Sequence, residues 1–494
     1  MKIAYKYLLP AFFLLALGSC KKSFLDVNTS PNSPVDVPPR TLLPNAEVAL
    51  GFTNGNELGK VAALLMQYNA GIAGSQAGAY DQWNIGSLDN QWSNELYTNT
   101  INNLGIIVQK TEGTSPAYAG VAKLQLAYAF SMATDLWGDV PYSQAAQGLD
   151  ENGFLKYPQP RFDAQQDIYL GNASLAIKSL FNLVREGIAD INSPSILKPA
   201  SDDIVYNGDL SKWTRLGYSL LMKFALQVSN KAPDTTRAVI NDIVTNNRPF
   251  INDVNGTLDF NVPFSKANPN PYYLQDIGGT IPNTQLLSTR FYNLERNLND
   301  TIRLSKFYNR PTGVYVTYDN GSPFAAPLPI SSRSQYGTYV LGATRSGEAP
   351  IRLVTAFRNY FILAEAALRF GVTGDANTYY QNGIKASMIS TGMTATEISN
   401  YFAANPTIVT LTGTTDQKLQ QIILQKYIAS VGNAIESYND YRRTGYPVLQ
   451  APTVTAGDDP NIFPWRFPYT VQEGTSNPNQ PNPRPKTNVK VWWQ

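Results

Sequence analysis

Along much of this 494-residue chain apolar residues recur at the spacing of an α-helix, while long stretches without period separate them. That pattern dictates a helix-packed body carrying large irregular insertions, because a helix with one apolar stripe is stable only when the stripe is covered by a neighbour. In 352–370 the stripe is Leu353, Phe357, Tyr360, Phe361, Ala364, Ala367 and Leu368, and Gly371 suits the stop. Asp375 is placed to cap a second helix, in which Tyr379, Tyr380, Ile384 and Met388 keep the period.

Two antiparallel helices of this length resemble one tetratricopeptide unit. Residues 117–134 carry Val121, Leu124, Tyr128 and Met132 with many alanines between, so a helix there can approach several neighbours closely. Asp163 and Gln166 suit a capping box opening a helix over 164–185; Ser211 suits the cap of 212–230, and Asp416 that of 417–431. No repeat aligns by eye, so a superhelix follows from the helix pairs and not from self-similarity. The expected fold is mainly all-α, a tetratricopeptide-like αα superhelix over 41–494 as one domain. Its loop insertions fall near 71–92, 248–282, 309–349 and 450–490, which are rich in Gly, Pro, Asn and aromatics. Loops that long in a compact protein usually carry function.

The N-terminus addresses location. Lys2 and Lys6 lead into the apolar run Tyr7 to Leu17, too short to span a bilayer, which ends Leu17-Gly18-Ser19-Cys20. This resembles a bacterial lipobox, so 1–19 reads as a signal peptide and Cys20 as the acylated first residue. Each buried CH2 of an acyl chain contributes about 0.8 kcal/mol, and two or three chains hold a protein on a membrane durably. Residues 28–40, rich in proline and polar side chains, read as an extended tether, completing a lipidated segment over 20–40.

Composition removes several kinds of chemistry. Cys20 is the single cysteine, so acylation leaves no thiol for disulfides, metal sites or catalysis. There is no histidine, which removes Ser-His-Asp triads, histidine-held zinc and the commonest general base. Without the signal segment the chain has 37 basic and 37 acidic residues, a balance that gives nucleic acid no electrostatic hold.

Several runs resemble the SusD/RagB family, in its SusD-like branch, over nearly the whole chain. Cys20-Lys21-Lys22-Ser23-Phe24-Leu25-Asp26 is similar to the family's start. Ala133-Thr134-Asp135-Leu136-Trp137-Gly138-Asp139-Val140-Pro141-Tyr142-Ser143-Gln144-Ala145 is the most specific match. Asp202 to Trp213, Phe357 to Met388, Gln425-Lys426-Tyr427, Asp440 to Pro447 and Val491-Trp492-Trp493 continue it. One departure follows Arg466, where Phe467-Pro468-Tyr469-Thr470 replaces the family's Tyr-Pro order before Glu473 and Asn477. The resemblance implies an outer-membrane lipoprotein of Bacteroidetes-type bacteria facing the cell exterior. It further implies capture of oligosaccharides, or of peptides as in the RagB-like alternative, and their delivery to a SusC-like TonB-dependent transporter. No cofactor, metal or catalytic residue is implied.

For such a binder the chemistry is flat apolar surface for sugar faces plus amides and acids for hydroxyls. The 71–92 loop supplies Gln76, Tyr80, Asp81, Gln82, Trp83, Asn84 and Trp92; a second cluster supplies Asn268, Asn270, Tyr272, Tyr273 and Gln275; and 315–339 supplies Tyr315, Tyr318, Phe324 and Tyr336. From these, Tyr80, Asp81, Trp83, Asn84, Trp92, Tyr272, Tyr273, Tyr315 and Tyr318 are the candidate ligand contacts. Burial of the tryptophans against helix ends is the competing role. Asp135 and Asp139, four apart, could loosely suit a glycoside hydrolase, but Gly138-Asp139-Val140-Pro141 reads as a helix end, and capping of that turn over Trp137 is favoured. Arg442 and Arg443 could clamp an anion, but a structural role at the end of a helix is favoured. A helical-repeat scaffold for a protein partner is the remaining alternative.

Overall fold

The computed structural model describes residues 37–148, 155–279 and 282–494; Cys20, the signal segment and the tether as far as residue 36 lie outside them. The longer helices, numbered in chain order, are α1 (Pro39–Gly55), α2 (Glu57–Leu65), α3 (Asn103–Thr111), α4 (Pro116–Trp137), α5 (Leu180–Ile191), α6 (Leu210–Gln227) and α7 (Pro233–Thr245). They continue as α8 (Thr289–Asn297), α9 (Ala356–Phe370), α10 (Ala376–Ser390), α11 (Ala395–Ala404), α12 (Thr415–Ala429) and α13 (Ala434–Thr444). Neighbours in sequence pack on one another: α4 on α3 and α5, α5 on α6, α6 on α7, and α9 on α10 and α12. This is the tetratricopeptide-like helical fold expected from the helix pairs. Extended structure is confined to two-stranded pairs, β1 (Asn69–Gly71) with β5 (Gln285–Leu287), β2 (Val140–Pro141) with β3 (Phe162–Asp163), and β4 (Phe260–Val262) with β6 (Ile351–Val354), all antiparallel.

Helix α4 is central because its alanines and Gly120 let neighbours approach. Every residue of it after Pro116 is buried, and a Cβ at Gly120 would lie 2.6 Å from the Gly187 carbonyl oxygen of α5. It stops at Gly138, whose φ of +85° L side chains rarely adopt. One core runs from Leu42 on α1 to Trp493 near the C-terminus, with a second cluster around α9 and α10.

The caps refine the expected boundaries. Gly371 ends α9 in the left-handed region, and Asp375 caps α10 by accepting from Thr378 N at 2.7 Å, both as the sequence indicates. The expected helix over 164–185 is instead broken: a short helix Gln165–Leu170 stops at Gly171, φ +85°, and α5 starts afresh after the Ser179 cap. Asp163 makes no cap there; it accepts from Ser143 N at 2.6 Å and pairs with Arg161 at 2.7 Å. Asp209, not Ser211, caps α6, and Thr414 with Gln417 forms the capping box of α12, displacing Asp416 into the first turn. In each case the cap is the residue whose backbone is still extended, which side-chain type alone does not specify. Residues 91–102, ahead of α3, form a π-helical segment that periodicity does not announce.

Candidate functional site

Three of the expected loops meet, and Asp81 joins two of them. Its Oδ1 accepts from Asn320 Nδ2 at 2.6 Å, and its Oδ2 accepts from Gly321 N at 2.7 Å and from Gly71 N at 3.1 Å. The 450–463 loop is tied in by Thr453 N donating to Asn320 O at 2.9 Å and Ala456 N donating to Gln82 O at 2.8 Å. Phe463 packs edge-on to Trp83 with ring centroids 5.7 Å apart. Bonds of this kind hold long loops in one arrangement, so side chains presented there are set before a ligand arrives.

Beside this junction lies a cleft of about 360 Å³ between α8, α12 and the segment 447–450. Arg290, Asn293, Leu294 and Asn297 share one face of α8 at helical spacing, and Gln420, Leu424 and Tyr427 share one face of α12. The edge is amide-rich, through exposed Asn293, Asn297, Gln420 and Gln450. The floor is aromatic, through buried Phe291 and Tyr427. Gln67 Nε2 donates to Gln450 O at 2.5 Å, and the Arg290 guanidinium donates to Gln450 O and Ala451 O, each at 2.8 Å, closing one wall. Its volume matches a small-ligand site, and amides both donate to and accept from hydroxyls. On the flank of α8, half-buried Tyr292 and Tyr315 lie with centroids 5.4 Å apart, and Arg310 stands 5.5 Å from the Tyr315 ring.

Of the aromatics singled out in the sequence, most pack inward. Tyr80 (1% exposed), Trp92 (2%) and Tyr272 (2%) have their faces covered by protein, so they cannot stack a sugar ring as placed. Trp92 packs edge-on to Trp137 at 5.1 Å and donates to Glu473 at 3.4 Å; the Tyr272 hydroxyl donates to Gly432 O at 2.8 Å. Trp83, Tyr318 and Tyr336 are buried as well, the Tyr318 hydroxyl donating to the Phe324 carbonyl. Asp81 is buried and acts as a loop tie. The physical reason is that loops this long form a core of their own, which consumes the aromatics that composition alone marks as available. Asn84 is exposed, Tyr273 and Tyr315 are half-buried, and Phe324 is 74% exposed. Asn270 is buried: it caps the helix Pro271–Asp276 by accepting from Tyr273 N and donates to Val340 O and Ala349 O. The amide stripe Asn293/Asn297 is not among the residues that loop composition singles out; polar residues at i, i+3 and i+7 (Arg290, Asn293 and Asn297), around Leu294 and beside Phe291, are the signal that marks it.

Asp135 is fully buried and takes hydrogen bonds from Tyr169 (2.8 Å), Trp493 (2.9 Å) and Asn439 (3.1 Å). Asp139 accepts from Gln165 N at 2.8 Å. Both are structural, but neither caps the turn after α4 as expected from sequence: they tie the end of α4 to distant segments, and it is Thr134 that donates to Gly138 O in the turn. Arg442 and Arg443 are buried too; Arg442 donates to Asp135 O and Trp465 O and lies 3.9 Å from the Tyr438 ring centroid.

Burial pushes several carboxyls up: Asp81, Glu95 and Asp259 to about 7, Asp135 and Asp276 to about 6. A carboxyl whose folded-state pKa is raised binds more protons folded than unfolded, so its contribution is full below the unfolded value and is lost as pH rises through 6–7. Stability is therefore expected to fall between pH 5 and pH 8. Urea midpoints at pH 5.5 and 8.0 measure this, and an equal or higher midpoint at pH 8.0 contradicts it.

A family model described as "Starch-binding associating with outer membrane", SusD-like, matches residues 31–470. Among solved structures, a chitin-binding SusD homolog from Flavobacterium johnsoniae superposes with a TM-score of 0.75 at 20% identity, covering 92% of this chain and 98% of that one. A chitin-binding protein gives 0.73 at 22% identity, covering 92% and 99%. A SusD homolog from Bacteroides uniformis gives 0.71 at 21%, with the same coverage. At these identities the likeness is one of fold. No curated protein sequence matches.

Proposed function

The chain belongs to the SusD-like family, and from that premise we propose that it is a cell-surface binding protein, not an enzyme, that captures an oligosaccharide at the cleft beside its joined loops. In this reading Cys20 carries the lipid anchor after removal of residues 1–19, residues 20–40 form the tether, and a SusC-like TonB-dependent transporter receives the ligand. Among the described residues no helix is long and apolar enough to cross a membrane, in keeping with an anchor outside the folded body. The observation that carries the ligand class is the amide-edged cleft beside the Tyr292/Tyr315 pair. Relatives of similar fold bind chitin, which makes N-acetylated and plain glucose oligomers the first ligands to try.

One stacked ring hiding about 40–60 Å² gains roughly 1–1.5 kcal/mol. Millimolar affinity requires about 4 kcal/mol, so several contacts must act together. Calorimetric titration with chitin and malto-oligosaccharides is expected to give saturable heat, and Asn293→Ala with Gln420→Ala to weaken it about tenfold without loss of fold. Heat from a peptide panel alone would move the reading to a peptide binder; release of shortened glycan by the purified protein would move it to a hydrolase.

A further inference from the structure

Where α6, α9, α12 and α13 come together, a small cavity of about 20 Å³ gives room for one water-sized body. Four cations line it, Lys223, Arg358, Lys426 and Arg443, against two carboxylates, Glu436 and Asp440, and none of the six is more than 8% exposed. Behind them Glu365 and Asp135 add negative charge, but Glu365 is also paired with Arg369 at 2.6 Å, and Arg442 stands against Asp135, donating to its carbonyl at 2.7 Å. Positive charge therefore stays in excess among the described side chains. Lys426 keeps its proton at pH 7, because burial, helped by Arg358 and Arg443 and opposed by Asp440, lowers its pKa only to about 8.

The hydrogen bonds around the cavity favour a negative occupant. Each carboxylate oxygen is already engaged: Asp440 Oδ1 accepts from Lys426 (2.8 Å) and Arg443 (3.1 Å), and its Oδ2 from Arg358 (3.0 Å). Glu436 Oε1 meets Lys223 at 3.0 Å, and its Oε2 accepts from Arg358 at 3.3 Å. Donors are left over, since Gln227 Nε2, on the last residue of α6, is buried with no partner and each ammonium carries three N–H groups. A water there would accept from these donors but would bring two hydrogens to oxygens already in use. We propose that the cavity binds one chloride ion, held by the Gln227 amide and the Lys223 and Lys426 ammonium groups, which fastens α6 to α12 and α13. A carboxylate or phosphate exceeds the space, and apolar walls from Leu226, Val354 and Ile362 strengthen the attraction by keeping water out.

Urea unfolding of the intact chain in sodium chloride and in sodium gluconate, at equal ionic strength, tests this site. An ion bound only by the folded state lowers the unfolded-to-folded ratio at fixed urea about tenfold for each tenfold rise in chloride above Kd, and gluconate should have no such effect. Crystals soaked in bromide should show an anomalous peak in the cavity, against Gln227. Gln227→Leu should remove the chloride dependence. Gln227→Glu, which puts a tethered carboxylate at the ion's position, should remove it while keeping stability in gluconate at or above that of the wild type; a glutamine needed only for packing predicts a loss in both variants. A wild type equally stable in the two salts, or a cavity without bromide, overturns the site and leaves the space to water. Chloride dependence undiminished in folded Gln227→Leu overturns it equally, and should neither variant fold, the bromide peak in the wild type decides.

Discussion

Replacing Arg443 by methionine is expected to lower the unfolding free energy by about 3–5 kcal/mol, because it leaves buried carboxylates without their cation. The Arg443 side chain is 1% exposed and its guanidinium reaches Glu365 Oε2 at 2.8 Å and Asp440 Oδ1 at 3.1 Å. Asp440 also meets Lys426 at 2.8 Å and Arg358 at 3.0 Å, so α9, α12 and α13 share one buried ionic knot. Burial, the largest influence, raises the Glu365 carboxyl, yet Arg443, with Lys426 and Arg369, together outweigh it and hold the pKa below the usual value. Removing the cation leaves Glu365, with no exposed side-chain surface, ion-paired only to the more peripheral Arg369, with Lys426 acting on it through space. Urea denaturation measures the loss; a change under 1 kcal/mol would sink the argument. Because desolvation of ions is itself costly, adding Glu365→Leu to Arg443→Met should recover much of the stability, which a purely steric role for Arg443 does not predict.

Asp81→Ala is expected to unfasten the ligand end while the helices stay folded. The substitution strips acceptors from Gly71 N, Gly321 N and Asn320 Nδ2, and each buried donor left unpaired costs about 1–3 kcal/mol, less than additively since the loops relax. Amide hydrogen exchange should accelerate at least tenfold in both 71–84 and 318–324, with protection in α4 and α9 unchanged. Glycan affinity should drop in parallel, because loops that must be ordered on binding subtract from the contact energy. Acceleration in only one loop, or in neither, would show that Asp81 does not join them. The same variant separates a positioning role from direct contact: Asp81 is 2% exposed, so its effect on affinity must travel with the loss of exchange protection.

Much of the body is legible in the sequence. The stripe from Leu353 to Leu368, the stop at Gly371 and the cap at Asp375 are local facts, because helix period and capping depend on residues within a turn or two. Gly, Pro and Asn content marks irregular insertions for the same reason, though not the short helices Gln76–Asp81, Pro271–Asp276, Thr338–Leu341 and Val471–Ser476 that lie within them. Less legible were events set by distant partners. The π-helical register of 91–102 and the break at Gly171 depend on what the segment packs against. The aromatic-rich composition of the 71–92 loop pointed to a ligand surface, whereas Tyr80 and Trp92 are interior; the cleft edge instead uses Asn293 and Asn297 on a helix, where sequence composition looks ordinary.

What the sequence determined by itself, then, is the helical material, the family resemblance, and the chemistry ruled out by having one cysteine and no histidine. Tertiary structure alone decided which polar groups pair across hundreds of residues: Asp81 with Asn320, Asp135 with Trp493, Arg443 with Glu365. The division is physical. Propensity and period act over a few residues of chain, but whether a tyrosine meets a sugar or a helix, and whether a carboxylate meets an arginine or water, depends on the free energy of burial, which no local window contains.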